Sequence, residues 1–118
     1  MREKFELLIQ INSSIEKGEI PNLDVIFHAD YLYLKDNTLV NRDEHLEFMR
    51  KEFTRKITVI NPQFLYEDKD MMTYSYNIKV RGKDYRVVQV QMWKDGKIWR
   101  EISTVSYTHL TLPTIDRV

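Results

Sequence analysis

Asp95-Gly96, set between two alternating runs, constrains this chain more than any other feature. A two-residue hairpin loop of type I′ needs positive φ at both central residues, and Asp-Gly supplies it. In QMWKDGKIWREI, residues 91–102, such a loop sets Trp93 opposite Ile98, Gln91 opposite Arg100 and Gln89 opposite Ile102. Gly82-Lys83, read as a second two-residue loop, sets Val80 opposite Tyr85, Tyr76 opposite Gln89 and Tyr74 opposite Gln91. With a further break at Asp68-Lys-Asp70, strands are expected over about 56–67, 71–81, 84–94 and 97–104, a four-stranded meander. Pro62 cannot donate to a ladder, so it marks a bulge or an edge strand.

This register sorts the side chains. One face carries Met72, Tyr74, Tyr76, Ile78, Val80, Tyr85, Val87, Gln89, Gln91, Trp93, Ile98, Arg100 and Ile102, and it must meet whatever covers the sheet. An unpaired buried amide or guanidinium costs roughly 1–3 kcal/mol or more. Gln89, Gln91 and Arg100 therefore either pair among themselves and with tyrosine hydroxyls in a closed core, or line a wet cavity. The opposite face is polar on its outer strand but holds Val88, Val90, Met92 and Trp99 in its middle. An apolar patch of that kind meets a partner or reflects strand propensity alone; a two-fold dimer through the sheet would make it self-complementary.

The first half reads as helical. Phe5, Leu8, Ile9 and Ile15 form one face of a helix over about residues 2–17, with Gly18 where a left-handed cap is wanted. LDVIFHA, after Pro21-Asn22, is read as a second, short helix ending at Asp30. Tyr31 to Lys35 alternates as a strand, with Asp36-Asn37 as a turn and Thr38 to Val40 returning. Asn41 and Glu44 form a capping box for a third helix over about 42–54, whose stripe is Leu46, Met49 and Phe53.

At 118 residues the chain suits one domain. Its 42% apolar and 31% charged residues balance to zero net charge, which gives no general attraction to nucleic acid or to an anionic membrane. No cysteine is present, so thiol catalysis and thiolate metal sites are excluded. The opening MREKFELLIQINSS is broken by charge and reads as neither signal peptide nor membrane span, which leads to the expectation of a cytoplasmic protein.

The order of helix, short helix, small hairpin, capped helix and long-stranded meander resembles the cystatin-like cone of the nuclear transport factor 2 (NTF2)-like superfamily, in particular its SnoaL-like members. EKGEIPNLDVIFHADYLYLKDNTLVNRDEHLEFMRKEF and QMWKDGKIWREI carry the resemblance, which spans residues 1–104. It implies an α+β fold, about three N-terminal helices packed on a curved, mostly antiparallel sheet, with a pocket between them and commonly a dimer through the sheet. The superfamily's isomerases use a hairpin carboxylate, a tyrosine and a protonated aspartate. Here the matching positions hold Lys35, with Asp36 one step away, and Ile11, while Gln89 or Gln91 stands nearest the later-strand acid. The familiar residues of that chemistry are therefore missing. VSYTHLTLPT is similar to translated sequencing adapter, so residues 105–118 are expected to be a non-native tail beyond a domain at 1–104, the alternative being a genuine strand end and tail.

Other candidates are weaker. His28 and Asp30 in FHAD read as an acid-base pair at the cone's mouth or as a local surface cap. His45 with Asp43, Glu44 and Glu47 reads as a solvated helix face before it reads as a metal site, and no metal or cofactor is expected. Tyr31 and Tyr33 share a face with Lys35, and Tyr33 is the one expected in the pocket. The leading expectation is a homodimer with a cavity lined by Tyr33, Met49, Tyr74, Tyr76, Gln89, Gln91, Trp93 and Arg100. It would bind a small, partly apolar organic molecule for binding alone or for proton transfer, dehydration or isomerisation. The second is a non-catalytic dimerisation or partner-binding module with a closed core.

Overall fold

The computed structural model describes residues 2–19, 21–35, 37–54 and 59–107. The chain runs α1 (Glu3–Glu16), a 3-10 turn (Leu23–Val25), β1 (Phe27–Lys35), β2 (Thr38–Asn41), α2 (Arg42–Thr54), β3 (Ile60–Glu67), β4 (Met71–Val80), β5 (Lys83–Lys94) and β6 (Lys97–Tyr107). The six strands make one sheet in the order β2-β1-β6-β5-β4-β3, antiparallel except where β1 lies parallel to β6. Among the described residues no helix is long and apolar enough to cross a membrane.

Both α-helices end as their sequences dictate. After α1 the Gly18 amide donates to Ile15 O and the Glu19 amide to Ser14 O, both at 2.9 Å, with Gly18 at φ +86°. This paired closure needs the left-handed conformation that glycine adopts without strain. At the start of α2 the Asn41 amide donates to Glu44 Oε1 at 3.0 Å and the Glu44 amide to Asn41 Oδ1 at 2.9 Å, the expected capping box. At its start α1 borrows a cap from the sheet: the buried carboxylate of Glu67 accepts from the Lys4 amide at 2.9 Å and the Phe5 amide at 3.1 Å.

The expected second helix is a correction. Only Leu23–Val25 turns, as a 3-10 helix capped by Asn22, and Phe27 already pairs with Ile98 in the sheet. Two turns are too short to hold without packing, while the aromatic run from Phe27 to Tyr33 gains a strand partner on β6. Between Phe27 and Leu32, β1 advances five residues against two of β6, so His28, Ala29 and Asp30 bow outward. Among the described residues there are therefore two α-helices, not the three expected.

The sheet departs from the expected register in two places, with different consequences. The β4–β5 loop is Arg81-Gly82, at φ +52° and +78°, not Gly82-Lys83. This slides each pair by two residues, so Tyr74 faces Gln89 and Met72 faces Gln91, and every side chain keeps its face. The β5–β6 loop is Asp95-Gly96 as expected, at φ +54° and +75°, with Trp93 opposite Ile98. One step later the register breaks: Met92 faces Arg100, leaving Trp99 as the extra residue of a β-bulge. Beyond it Gln91 pairs with Glu101, Val90 with Ile102 and Gln89 with Ser103. A bulge adds local twist and reverses which residues of the strand point inward. Arg100 and Ile102 thus lie on the outer face, and Glu101 and Ser103 on the inner one. On β3 the shift between Ile60 and Gln63 falls at Pro62, with Asn61 at φ +56°, and β3 is also an edge strand.

β6 continues through Val105 to Tyr107, paired with Val87 to Tyr85. Residues 108–118, and 56–58 at the start of the strand expected over about 56–67, lie outside the described residues. The core falls into two clusters. Ile15, Leu23, Ile26, Phe27, Tyr31, Tyr33, Leu46 and Ile98 close one end and side, while Phe5 from α1 packs with Met72 and Tyr74 on the other.

Candidate functional site

Between the inner face of the sheet and the two helices lies a cavity of about 400 Å³. That volume is within the range of about 300–1,000 Å³ usual for small-molecule sites. The strand ladder sets its levels. Phe27 and Ile98 stand at the closed end beside the β5–β6 turn. Next come Tyr33, Glu101 and Gln91, then Lys35, Ser103, Gln89 and Tyr74, then Val105, Val87 and Tyr76. Phe5, Leu8, Ile11 and Ile15 of α1 and His45, Phe48 and Met49 of α2 supply the roof. Exposed Phe48, Val105 and Lys35 mark the mouth.

Of the residues expected to line a cavity, Tyr33, Met49, Tyr74, Tyr76, Gln89 and Gln91 do so. Trp93 does not; its Nε1 donates to Gln91 Oε1 at 3.2 Å and its ring lies under Lys4 Nζ at 5.7 Å. Arg100 is displaced to the outer face by the bulge. There its guanidinium stacks on Trp99 at 4.0 Å and donates to Asp30 O at 2.6 Å and Trp99 O at 3.0 Å. Val88, Val90, Met92 and Trp99 lie on that outer face.

The bulge replaces one ionisable group by another. A guanidinium cannot shed its charge, whereas a carboxyl can, so Glu101 is the more tolerable charge to bury. Its Oε1 accepts from Tyr31 Oη at 2.5 Å and its Oε2 from Gln91 Nε2 at 2.7 Å. Burial raises the Glu101 carboxyl above its ordinary value, while the donors Tyr31, Gln91 and Gln89 pull it back. The Tyr31 hydroxyl is held well above its ordinary value, first by burial and then by the neighbouring Glu101 carboxylate. Gln89 accepts from Tyr76 Oη at 3.0 Å, and Tyr33 Oη and Ser103 Oγ share a hydrogen bond of 2.7 Å. Tyr74 and Tyr76 stack at 5.4 Å, and burial raises both hydroxyls.

His45 corrects a second expectation. Asp43, Glu44 and Glu47 are exposed, but His45 is buried and lines the cavity, so α2 does not gather these groups. Its ring meets Phe27, Tyr31 and Tyr33 at 5.1, 5.0 and 5.1 Å. Burial, with Lys35 nearby, lowers its pKa to about 4. The signal was present: His45 stands four residues before Met49, on the stripe that faces the sheet. Glu101 gave no such signal, because its position depends on the bulge. His28 and Asp30 lie at the opposite end from the mouth, where the Asp30 amide donates to His28 Nδ1 at 3.0 Å and His28 Nε2 is 3.5 Å from Asp95.

Helices laid into a curved six-stranded sheet around such a cavity define the NTF2-like fold, and comparison with solved structures agrees. An NTF2-like protein of unknown function from Burkholderia xenovorans LB400 superposes with a TM-score of 0.65 at 13% identity, over 95% of this chain and 90% of that one. AclR, a proposed hydroxylase from Streptomyces galilaeus, gives 0.63 at 10% identity over 90% of each chain. IdmH, a proposed polyketide cyclase from Streptomyces antibioticus, gives 0.62 at 13% identity, over 85% of this chain and 90% of that one. No family model and no curated protein matches the sequence. At these identities the fold is common property and the chemistry is not.

Proposed function

We propose that this chain binds a small, largely apolar organic molecule in the cavity and moves a proton on it through Glu101, in a reaction of the proton-transfer, dehydration or isomerisation type. The observation that carries the reading is a fully buried carboxyl group at the wall of a 400 Å³ cavity, raised above its ordinary value and held by two side-chain donors. A carboxyl shifted upward is a better base when ionised and a usable acid when protonated. Tyr31 and Gln91 fix its orientation from either side, and the aromatic and aliphatic lining excludes water from the transfer. Two of the structurally similar proteins are described as a proposed hydroxylase and a proposed polyketide cyclase. A closed-core module would have filled this space with side chains.

Native mass spectrometry of the purified protein, and turnover of any ligand it retains, tests the reading. Glu101→Gln should keep the ligand and lose turnover by at least about a hundredfold. Turnover that survives this substitution removes Glu101 from the chemistry, and a chain that neither retains nor takes up apolar molecules is a closed module.

The same reading pairs two copies through the outer face of the sheet. There Leu39, Leu34, Ile102, Val90, Thr73 and Tyr66 face one another in a single row across all six strands. Leu39, Leu34, Ile102 and Tyr66 are 62%, 38%, 47% and 51% exposed, with Met92 beside the row at 47%. A two-fold axis through the middle of such a row lays apolar residues on apolar residues.

A further inference from the structure

Glu101 and its donors account for the sheet side of the cavity; the roof holds a polar group that the proton-transfer reading leaves unused. His45 is 8% exposed and lines the cavity, its ring enclosed by those of Phe27, Tyr31 and Tyr33. Among the described residues neither of its ring nitrogens has a hydrogen-bond partner. An aromatic nest of this kind would accept phenylalanine, and a buried polar group left unsatisfied costs about 1–3 kcal/mol. The imidazole is neutral near pH 7, so it offers one N–H donor and one bare nitrogen acceptor. A cation beside it would meet the field of Lys35, which already opposes protonation of the ring. An anion would have to shed its water among three aromatic rings, in a cavity that also holds Glu101. Glu52, the other charged residue lining the cavity, stands on α2 one turn beyond Phe48 and two turns beyond His45.

We infer that His45 is a ligand-binding residue that hydrogen-bonds a neutral oxygen, a hydroxyl or a carbonyl, carried on an apolar ring-shaped body. The inference rests on the cavity being a binding site. It makes the site a two-point reader, with His45 gripping the oxygen from α2 and Glu101 working from β6. The preferred ligand is then an apolar alcohol, phenol or ketone, not a plain hydrocarbon and not a carboxylate or amine at the buried end.

The test uses the full chain with 2-naphthol and naphthalene, followed by calorimetry and by the ¹⁵N shifts of the His45 ring. In the wild type 2-naphthol should bind about tenfold tighter than naphthalene, a difference of about 1.4 kcal/mol, and should move the His45 ring nitrogens. In His45→Phe the two affinities should converge to within about threefold, with naphthalene binding kept. Ring nitrogens that stay put while 2-naphthol is bound would overturn the inference, as would a preference that survives in His45→Phe. The wild-type ring shifts decide the matter even where the variant folds poorly. Naphthalene bound without preference sinks only the role of His45, whereas uptake of neither compound sinks the binding site with it.

Discussion

Gln91 donates from Nε2 to Glu101 Oε2 at 2.7 Å across the β5–β6 pair, while Tyr31 of β1 donates to the other oxygen of the same carboxyl group. Three strands, two antiparallel and one parallel, thus meet at one ionisable residue. Its ionisation is opposed by burial and aided by two hydrogen bonds, so strand pairing and proton affinity are coupled there.

Stability should register this coupling as a pH slope. Burial raises the folded-state pKa of Glu101. The native chain then holds the proton more tightly than the unfolded one, and the stability this contributes is lost as pH rises through the folded value. Glu101→Gln is neutral throughout and escapes the loss. Its melting temperature should exceed that of the wild type at pH 8, and the gap should close as pH falls toward 5. Thermal unfolding from pH 5 to 9 measures it, and a variant that melts lower at every pH would mean the network needs the carboxylate.

His45 should produce the opposite slope. Its pKa falls from 6.5 to about 4 on folding, so the unfolded chain binds the extra proton first. Stability present above pH 6.5 is then lost as pH falls toward 4, by up to about 3 kcal/mol. The measurement belongs in the Glu101→Gln background, where the opposing carboxyl slope is gone. There His45→Phe should melt at nearly the same temperature at pH 7 and at pH 4.5, while the chain that keeps His45 should melt lower at pH 4.5. Equal slopes in the two chains would place the acid sensitivity elsewhere.

What the sequence made legible follows from how local each signal is. The Asn41–Glu44 box, the Gly18 cap and the Asp95-Gly96 turn act within a few residues, and each stands where its residues place it. The β4–β5 loop is misplaced by one residue, yet Tyr74, Tyr76, Gln89 and Gln91 keep the cavity face, because the pairing slips by an even number. The Trp99 bulge has no comparable local code. It answers to the curvature of the whole sheet, and by one residue it exchanges Arg100 for Glu101 at the site. The short helix over LDVIFHA fails for a similar reason, since the partner that makes Phe27 a strand residue is Ile98, far along the chain.

The cap on α1 gives a prediction that concerns folding alone. Glu67 has a fully buried side chain and accepts the amides of Lys4 and Phe5, with Lys4 Nζ a further 3.9 Å away. Two donors at a helix start, and the favourable end of its dipole, depend on that carboxylate. Glu67→Ala should cost about 1–3 kcal/mol and lower the melting temperature by roughly 5–15 °C. Glu67→Gln keeps one acceptor and should fall between the two. If alanine leaves the melting temperature within about 2 °C, the contact is not holding α1 to the sheet.

The outer face should betray a second copy through a single charge. Ile102 stands near the middle of the apolar row, between Leu34 of β1 and Val90 of β5, and is half exposed where the bulge turned it outward. A lysine there faces water in a monomer at little cost. In a two-fold dimer it faces its own copy or an apolar neighbour, where an unpaired charge costs several kcal/mol. The wild type should therefore sediment at twice the chain mass at about 20 µM, a concentration consistent with a sub-micromolar dissociation constant. Ile102→Lys should sediment as a monomer with an unchanged far-ultraviolet spectrum and the cavity still able to bind 2-naphthol. Lys79→Glu, on the same face but away from the row, should remain dimeric. A wild type that is monomeric at that concentration would end the proposal, and a dimer untouched by Ile102→Lys would move the interface off this row.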